Sequence, residues 1–117
     1  MSFAFEDLQV YEKAVDFSIA VIDIIDSIDH PRKHYRLIEQ LESACTSVAL
    51  NIAEGKGRYS KKEFRQFLYV ARGSLYETIT MLQIFKRKGW IASGTYQKLY
   101  GDAEEISRMI SGLIGSI

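Results

Sequence analysis

The sequence predicts an all-α fold, a single up-and-down antiparallel four-helix bundle with left-handed supercoil. Three observations predict it. Apolar residues recur at three- and four-residue steps along most of the chain, the signature of helices with one face in a core. Short breaks around Pro31, Gly55 to Ser60 and Gly89 divide that pattern into four segments, and short connections favour antiparallel neighbours. A chain of 117 residues, 47% of them hydrophobic, has the length of one domain and should bury about two thirds of its extended surface.

Helix 1, roughly residues 6–29, carries two apolar stripes offset by one residue. Leu8, Tyr11, Val15, Ile22 and Ile25 form one; Ala14, Phe17, Val21, Ile24 and Ile28 form the other. An outer helix of a bundle needs only one such face. The surplus makes Phe17, Val21, Ile24 and Ile28 the candidate subunit interface, unless helix 1 lies deepest in its own bundle. Helix 2, roughly 35–54, follows the connection containing Pro31 and shows Leu37, Leu41, Cys45, Val48 and Ile52. Cys45 falls on that stripe and reads as a small core residue.

Helix 3, roughly 60–88, runs Phe64, Phe67/Leu68, Ala71, Leu75, Thr78/Ile79, Leu82 and Phe85. It stops at Gly89, with Phe85 and Trp90 at the two positions that touch in a Schellman cap. Gly73 inside this helix costs about 1 kcal/mol against alanine and is read as permitting close helix approach. Helix 4, roughly 94–115, keeps its stripe without a miss through Tyr96, Leu99, Ala103, Ile106, Ile110, Leu113 and Ile117.

The most specific wording is the restart Asn51-Ile52-Ala53-Glu54-Gly55-Lys56-Gly57-Arg58-Tyr59-Ser60. Ser60 and Glu63 have capping-box spacing, and Tyr59 and Phe64 are placed as a hydrophobic staple. Gly55 or Gly57 can take the left-handed conformation that ends a helix. Glu54 is poorly placed at a negative helix C-terminus unless the hairpin brings it to Arg58 and the next N-terminus. Asn51, Glu54, Gly55, Gly57, Ser60, Glu63 and Gly73 are thus a structural hairpin signature. The glycines lack the spacing of a phosphate loop.

Fifteen basic and fifteen acidic residues cancel, so the overall basic character of many nucleic-acid binders is absent. The neutral total conceals segregation. Helix 1 holds Glu6, Asp7, Glu12, Asp16, Asp23, Asp26 and Asp29 against Lys13. Bundle topology gathers Arg32, Lys33, Arg36, Lys86, Arg87 and Lys88 at one end, and Lys56, Arg58, Lys61, Lys62 and Arg65 at the other. On helix 3, Lys62, Arg65, Tyr69, Arg72 and Tyr76 make a basic stripe with aromatics between. Such a stripe can neutralise phosphates while tyrosines stack on unpaired bases. Arg58, Lys61, Lys62, Arg65, Tyr69 and Arg72 are therefore the candidate nucleic-acid or partner contacts. A solvated face, or pairing with the acidic helix 1 of a neighbour, is the plainer explanation.

Catalysis finds no support. His30 and His34 flank Pro31, no cysteine pair or Glu-x-x-His motif supplies further metal ligands, and no cofactor or small-molecule substrate is expected. A single cysteine and no secretory pattern make the cytoplasm the default compartment. The apolar run Ile19 to Ile22 is far too short to cross a membrane.

The segment Asn51-Ile52-Ala53-Glu54-Gly55-x-Gly57-Arg58, with Phe64-x-x-Phe67-Leu68 and Ala71-Arg72-Gly73-Ser74-Leu75-x-Glu77, resembles the bacterial four-helix-bundle family also called the 23S rRNA-intervening-sequence protein family. Phe5-Glu6-Asp7-Leu8, Pro31, Gln40-Leu41 and Lys88-Gly89-Trp90 extend the resemblance over nearly the whole chain. It implies a bundle assembled as a homopentamer without known catalysis, some members being encoded within insertions in large-subunit ribosomal RNA genes. A related accessory subunit of diversity-generating retroelements is a basic pentamer that binds nucleic acid and a reverse transcriptase. Glu42-Ser43 stand where the family usually has two arginines, Ala49 where proline is frequent, and Arg36 where glycine is common. The lost charges weaken an inherited RNA-binding role. Two readings follow: a self-associating bundle that contacts nucleic acid, ribosomal RNA included, or an oligomeric adaptor for another protein.

Overall fold

The computed structural model describes residues 3–28 and 34–117. The residues His30, Pro31, Arg32 and Lys33 lie outside that description, and with them the histidine spacing and part of one basic cluster. A short 3-10 turn, Ala4–Asp7, precedes α1 (Gln9–Asp26), α2 (Tyr35–Lys56), α3 (Lys61–Arg87) and α4 (Ser93–Ser116). Each helix packs on its neighbours in chain order and α4 closes back on α1, with no close backbone approach across either diagonal among the described residues. That is the ring of an up-and-down four-helix bundle. Its long dimension of 44 Å is set by α3, whose 27 residues span about 40 Å at ~1.5 Å per residue.

The first helix begins later than its periodicity suggests. The Glu6 carboxylate accepts the Phe3 N–H at 3.0 Å and closes a separate turn. Leu8 is extended, and α1 starts after it. The remaining stripes meet as read. Leu41, Cys45, Val48 and Ile52 of α2, Leu68, Leu75, Leu82 and Phe85 of α3, and Leu99, Ile106 and Ile110 of α4 are buried together. Among the described residues no buried side-chain polar atom lacks a partner. The Ser18 hydroxyl lies 2.9 Å from the Ala14 carbonyl and 2.8 Å from that of Cys45, tying α1 to α2.

Helix 1 corrects the interface expectation. Phe17, Val21 and Ile28 are buried in the chain's own core, and Ile24 is half-buried. Leu8, Tyr11, Val15 and Ile22 are half-buried at the core margin. Both stripes are consumed within one protomer, because α1 wedges between α2 and α4 and covers surface on two sides.

Two helix stops also differ from each other in a telling way. Gly89 has φ +77°, the only positive φ among the described residues. The Trp90 N–H reaches the Phe85 carbonyl and the Gly89 N–H that of Lys86, each at 2.9 Å. The Phe85 and Trp90 rings meet edge-on at 5.0 Å, completing the Schellman motif. Gly57, by contrast, ends α2 in ordinary helical conformation at φ −79°. The left-handed expectation for Gly55 or Gly57 is therefore wrong.

What Gly55 supplies is space. A Cβ there would stand 2.6 Å from Phe67 Cβ and 2.9 Å from Phe64 Cδ1. Farther along the same α2/α3 seam, Ser74 donates to Ser47 at 2.9 Å, and the Asn51 amide donates to the Ser47 hydroxyl and carbonyl at 2.8 Å each. Gly73 does not share this role: it is exposed, and a Cβ placed on it would meet nothing within 4 Å. Its neighbour Ser74 makes the contact, so the close-approach reading of Gly73 fails.

Candidate nucleic-acid interface

The α2–α3 turn assembles the candidate site. Ser60 is extended and its hydroxyl accepts the Glu63 N–H at 3.1 Å, one half of the capping box. The Glu63 carboxylate stays beside that hydroxyl, which donates to it at 3.4 Å. The hydrophobic staple does not form. Tyr59 is 102% exposed, because Lys56 and Arg58 cover the aromatic pair instead. Arg58 stacks 4.6 Å from the Phe67 ring centre, and the Lys56 ammonium lies 5.7 Å from that of Phe64. Tyr59 thus projects from the tip among Lys56, Arg58, Lys61 and Lys62, all exposed.

The basic stripe on α3 divides into two kinds of cation. Lys61 and Lys62 reach solvent. Arg65 donates to the Ile117 main-chain oxygen, and Arg72 donates to the Ser111 hydroxyl at 3.1 Å while stacking 5.1 Å from the Tyr69 ring. These two arginines therefore fasten α4 to α3, while Tyr69 stays half-exposed at 49%. Glu54 is exposed and makes no ion pair with Arg58 within 4 Å among the described residues. Glu6 and Asp7 are exposed on the 3-10 turn, whose Phe3, Ala4 and Phe5 share a surface hollow with Glu54, Gly57 and Arg58 at the same end of α2. Tyr59 at the tip was legible only as a cap residue, since exposure of a turn aromatic has no periodic signal.

A family model described as 23S rRNA-intervening sequence protein matches residues 6–112. The chain belongs to that family. A crystal structure of a protein of unknown function from the S23 ribosomal protein family of Bacteroides thetaiotaomicron superposes with a TM-score of 0.83. It is 23% identical and the match covers 90% of this chain and 97% of that one, so the likeness speaks to fold. None of the curated proteins matches the sequence.

In this member of the family the opposite end of the bundle is also basic. The His34 and Trp90 rings lie tilted at 35° with centres 4.4 Å apart, placing the start of α2 beside the end of α3. Arg87 and Lys88 are exposed there, and Lys86 lies 5.0 Å from the Tyr96 ring. Cations in the last turn of α3 also offset its negative dipole.

Chemistry elsewhere is sparse. Among the described residues no three His, Cys, Asp or Glu side chains are grouped to hold a metal ion, and no helix is long and apolar enough to cross a membrane. Cys45 is fully buried and donates to the Glu42 carbonyl at 3.4 Å. Burial, with the nearby Glu42 charge adding to it, pushes its thiol from 9.0 to about 11. A buried neutral thiol is a poor nucleophile. Above pH 9.0 the unfolded chain gives up this proton while the folded chain keeps it until about 11. Stability should therefore fall by about 2 kcal/mol across that window. The difference between parent and Cys45→Ala in denaturation midpoint, followed against pH, measures it.

Proposed function

We propose that the chain is a non-enzymatic, self-associating helical bundle that contacts unpaired nucleic acid through its α2–α3 turn. One observation carries the nucleic-acid part: Tyr59 stands fully exposed amid Lys56, Arg58, Lys61 and Lys62. An aromatic face within a cluster of cations is the equipment that sequence-tolerant single-strand binding uses, bases stacking on the ring while phosphates meet the charges. The positive end of α3 begins at Ser60 and adds to the same field. Self-association is favoured by the large apolar side chains left in water, with Ile19, Leu50, Val70, Tyr76 and Tyr100 all between 42% and 58% exposed.

Retention of a single-stranded RNA oligonucleotide at low salt tests the reading. The set Tyr59→Ala, Arg58→Ala, Lys61→Ala and Lys62→Ala should abolish retention with helicity and assembly intact, because none of the four is buried; Arg58→Ala alone, which uncovers the Phe67 ring, serves as the folding control. Arg65 and Arg72 are left in place, since removing them would loosen α4. For the parent, affinity should fall steeply with salt; restoring Tyr59 alone in the variant should leave a slope shallower by about 2, since each lost phosphate contact removes roughly 0.7. A parent that binds neither RNA nor DNA at low salt removes this function and leaves the protein-adaptor alternative.

A further inference from the structure

The outward face of α1 is an acidic stripe with one apolar residue at its centre. Glu12, Asp16, Ile19, Asp23 and Asp26 follow steps of four and three residues, and all are exposed. Ile19 is 52% exposed, a branched aliphatic half in water and flanked along the stripe by Asp16 and Asp23. On another side of the molecule, α3 and α4 leave an open groove of about 390 Å³. Leu75, Ile79 and Ala103 lie in it, Tyr76 and Tyr100 stand along it, and Arg108 closes one end. Glu104 is the acidic residue of that lining. Beyond the other end lie Arg87 and Lys88, both exposed.

The heights of these features along the bundle match. Lys13 bridges Glu105 at 2.9 Å, which fixes the level of α1 against antiparallel α4. Counting along both helices sets Glu12 beside Ile106, Ile19 beside Leu99 and Tyr100, and Asp23 beside Thr95. Arg72 meets Ser111 at 3.1 Å and Lys86 lies over Tyr96, which fixes α3 against α4 in the same way. Gln83 then shares the level of Tyr100, and Lys88 that of Thr95. Glu12 is thus within two residues, about 3 Å, of the height of Arg108. Asp23 is level with Lys88, and Ile19 with the Tyr100 end of the groove.

We propose that the α3/α4 groove receives the α1 stripe of a second copy of this chain, Ile19 seating against Tyr100 between two sets of ion pairs. This rests on the self-association reading above and names the surfaces that carry it. A copy related by pure rotation about an axis parallel to the helices brings the charges into register without sliding. The two surfaces have no residue in common, α1 supplying one and α3 with α4 the other, so the contact is heterologous. With no translation along the axis such a contact forms a ring wherever the rotation divides a full turn, and it does not grow as a helical filament. The carboxylates flanking Ile19 also discourage a like stripe from pairing with itself.

Sedimentation across concentration and salt, with circular dichroism to confirm folding, tests it. The parent should assemble, and Ile19→Asp should weaken assembly at least about tenfold, as expected for a central apolar anchor. Arg108→Glu alone should do likewise, and adding Glu12→Arg should restore assembly by exchanging the charges. Mixing two single-site variants, Ile19→Cys and Gln83→Cys, should give a disulfide-linked heterodimer under mild oxidation; Cys45 is buried and does not compete. Assembly that survives Ile19→Asp unchanged, with no such cross-link, overturns this interface while leaving self-association standing. A parent that stays single at every concentration overturns both, as it would if the groove served a foreign acidic helix.

Discussion

Gly55→Leu is expected to be the most damaging substitution near the α2–α3 turn. Even the first carbon would lie 2.6 Å from Phe67 Cβ and 3.3 Å from the Phe64 carbonyl oxygen. Neither is the free end of a flexible side chain, so relief requires α2 and α3 to part there. Overpacking of this kind costs about 1–3 kcal/mol, and a full leucine should reach or exceed the upper end. Gly55→Ala should destabilise despite gaining the roughly 1 kcal/mol by which alanine favours a helix. Gly73→Ala provides the opposite sign. Nothing lies near that position, so the variant should gain up to about 1 kcal/mol. Urea midpoints for the three variants at constant m-value decide the matter; destabilisation by Gly73→Ala, or stabilisation by Gly55→Ala, would reverse the assignment of the two glycines.

The second large effect belongs to Phe85. Its side chain is fully buried, its ring meets Trp90 edge-on at 5.0 Å, and its carbonyl accepts the Trp90 N–H. Phe85→Ala should cost about 3–5 kcal/mol, combining lost transfer energy with the cavity left behind. Phe85→Leu should cost less, since more of the volume is kept. Trp90 is the only tryptophan, and its fluorescence reports the site without a label. Emission should shift to the red in Phe85→Ala before global unfolding, because the cap loses its apolar contact while the Gly89 turn remains possible.

How much was legible beforehand varied with the range of the forces involved. The stripes of α2, α3 and α4, the Ser60 cap and the Schellman stop at Gly89 depend on residues within a turn or two of one another. Periodicity and local hydrogen bonding suffice to read them. The errors cluster where a second element decides. Gly55 and Gly73 look alike in sequence, yet only Gly55 faces aromatic side chains of another helix. Tyr59 has the spacing of a staple, but Arg58 stacking on Phe67 leaves the tyrosine in water. The candidate site was divided in the same way. Lys61 and Lys62 remain exposed as read, whereas Arg65 and Arg72 are engaged by Ile117 and Ser111 from the far end of the next helix.

Helix 1 shows the limit most plainly. Its composition established that two adjoining sectors are apolar and that a third is acidic, because side-chain direction around a helix follows from the 3.6-residue repeat alone. Which sector meets the core, and whether a protomer can cover both, depends on how α2 and α4 close around it. Only the folded bundle decided that: Phe17 and Val21 went inside, and Ile19 was left among carboxylates on the outside. Local chemistry set the elements and their caps. The number of neighbours each face acquired was settled by packing, a property of the whole chain that no single segment carries.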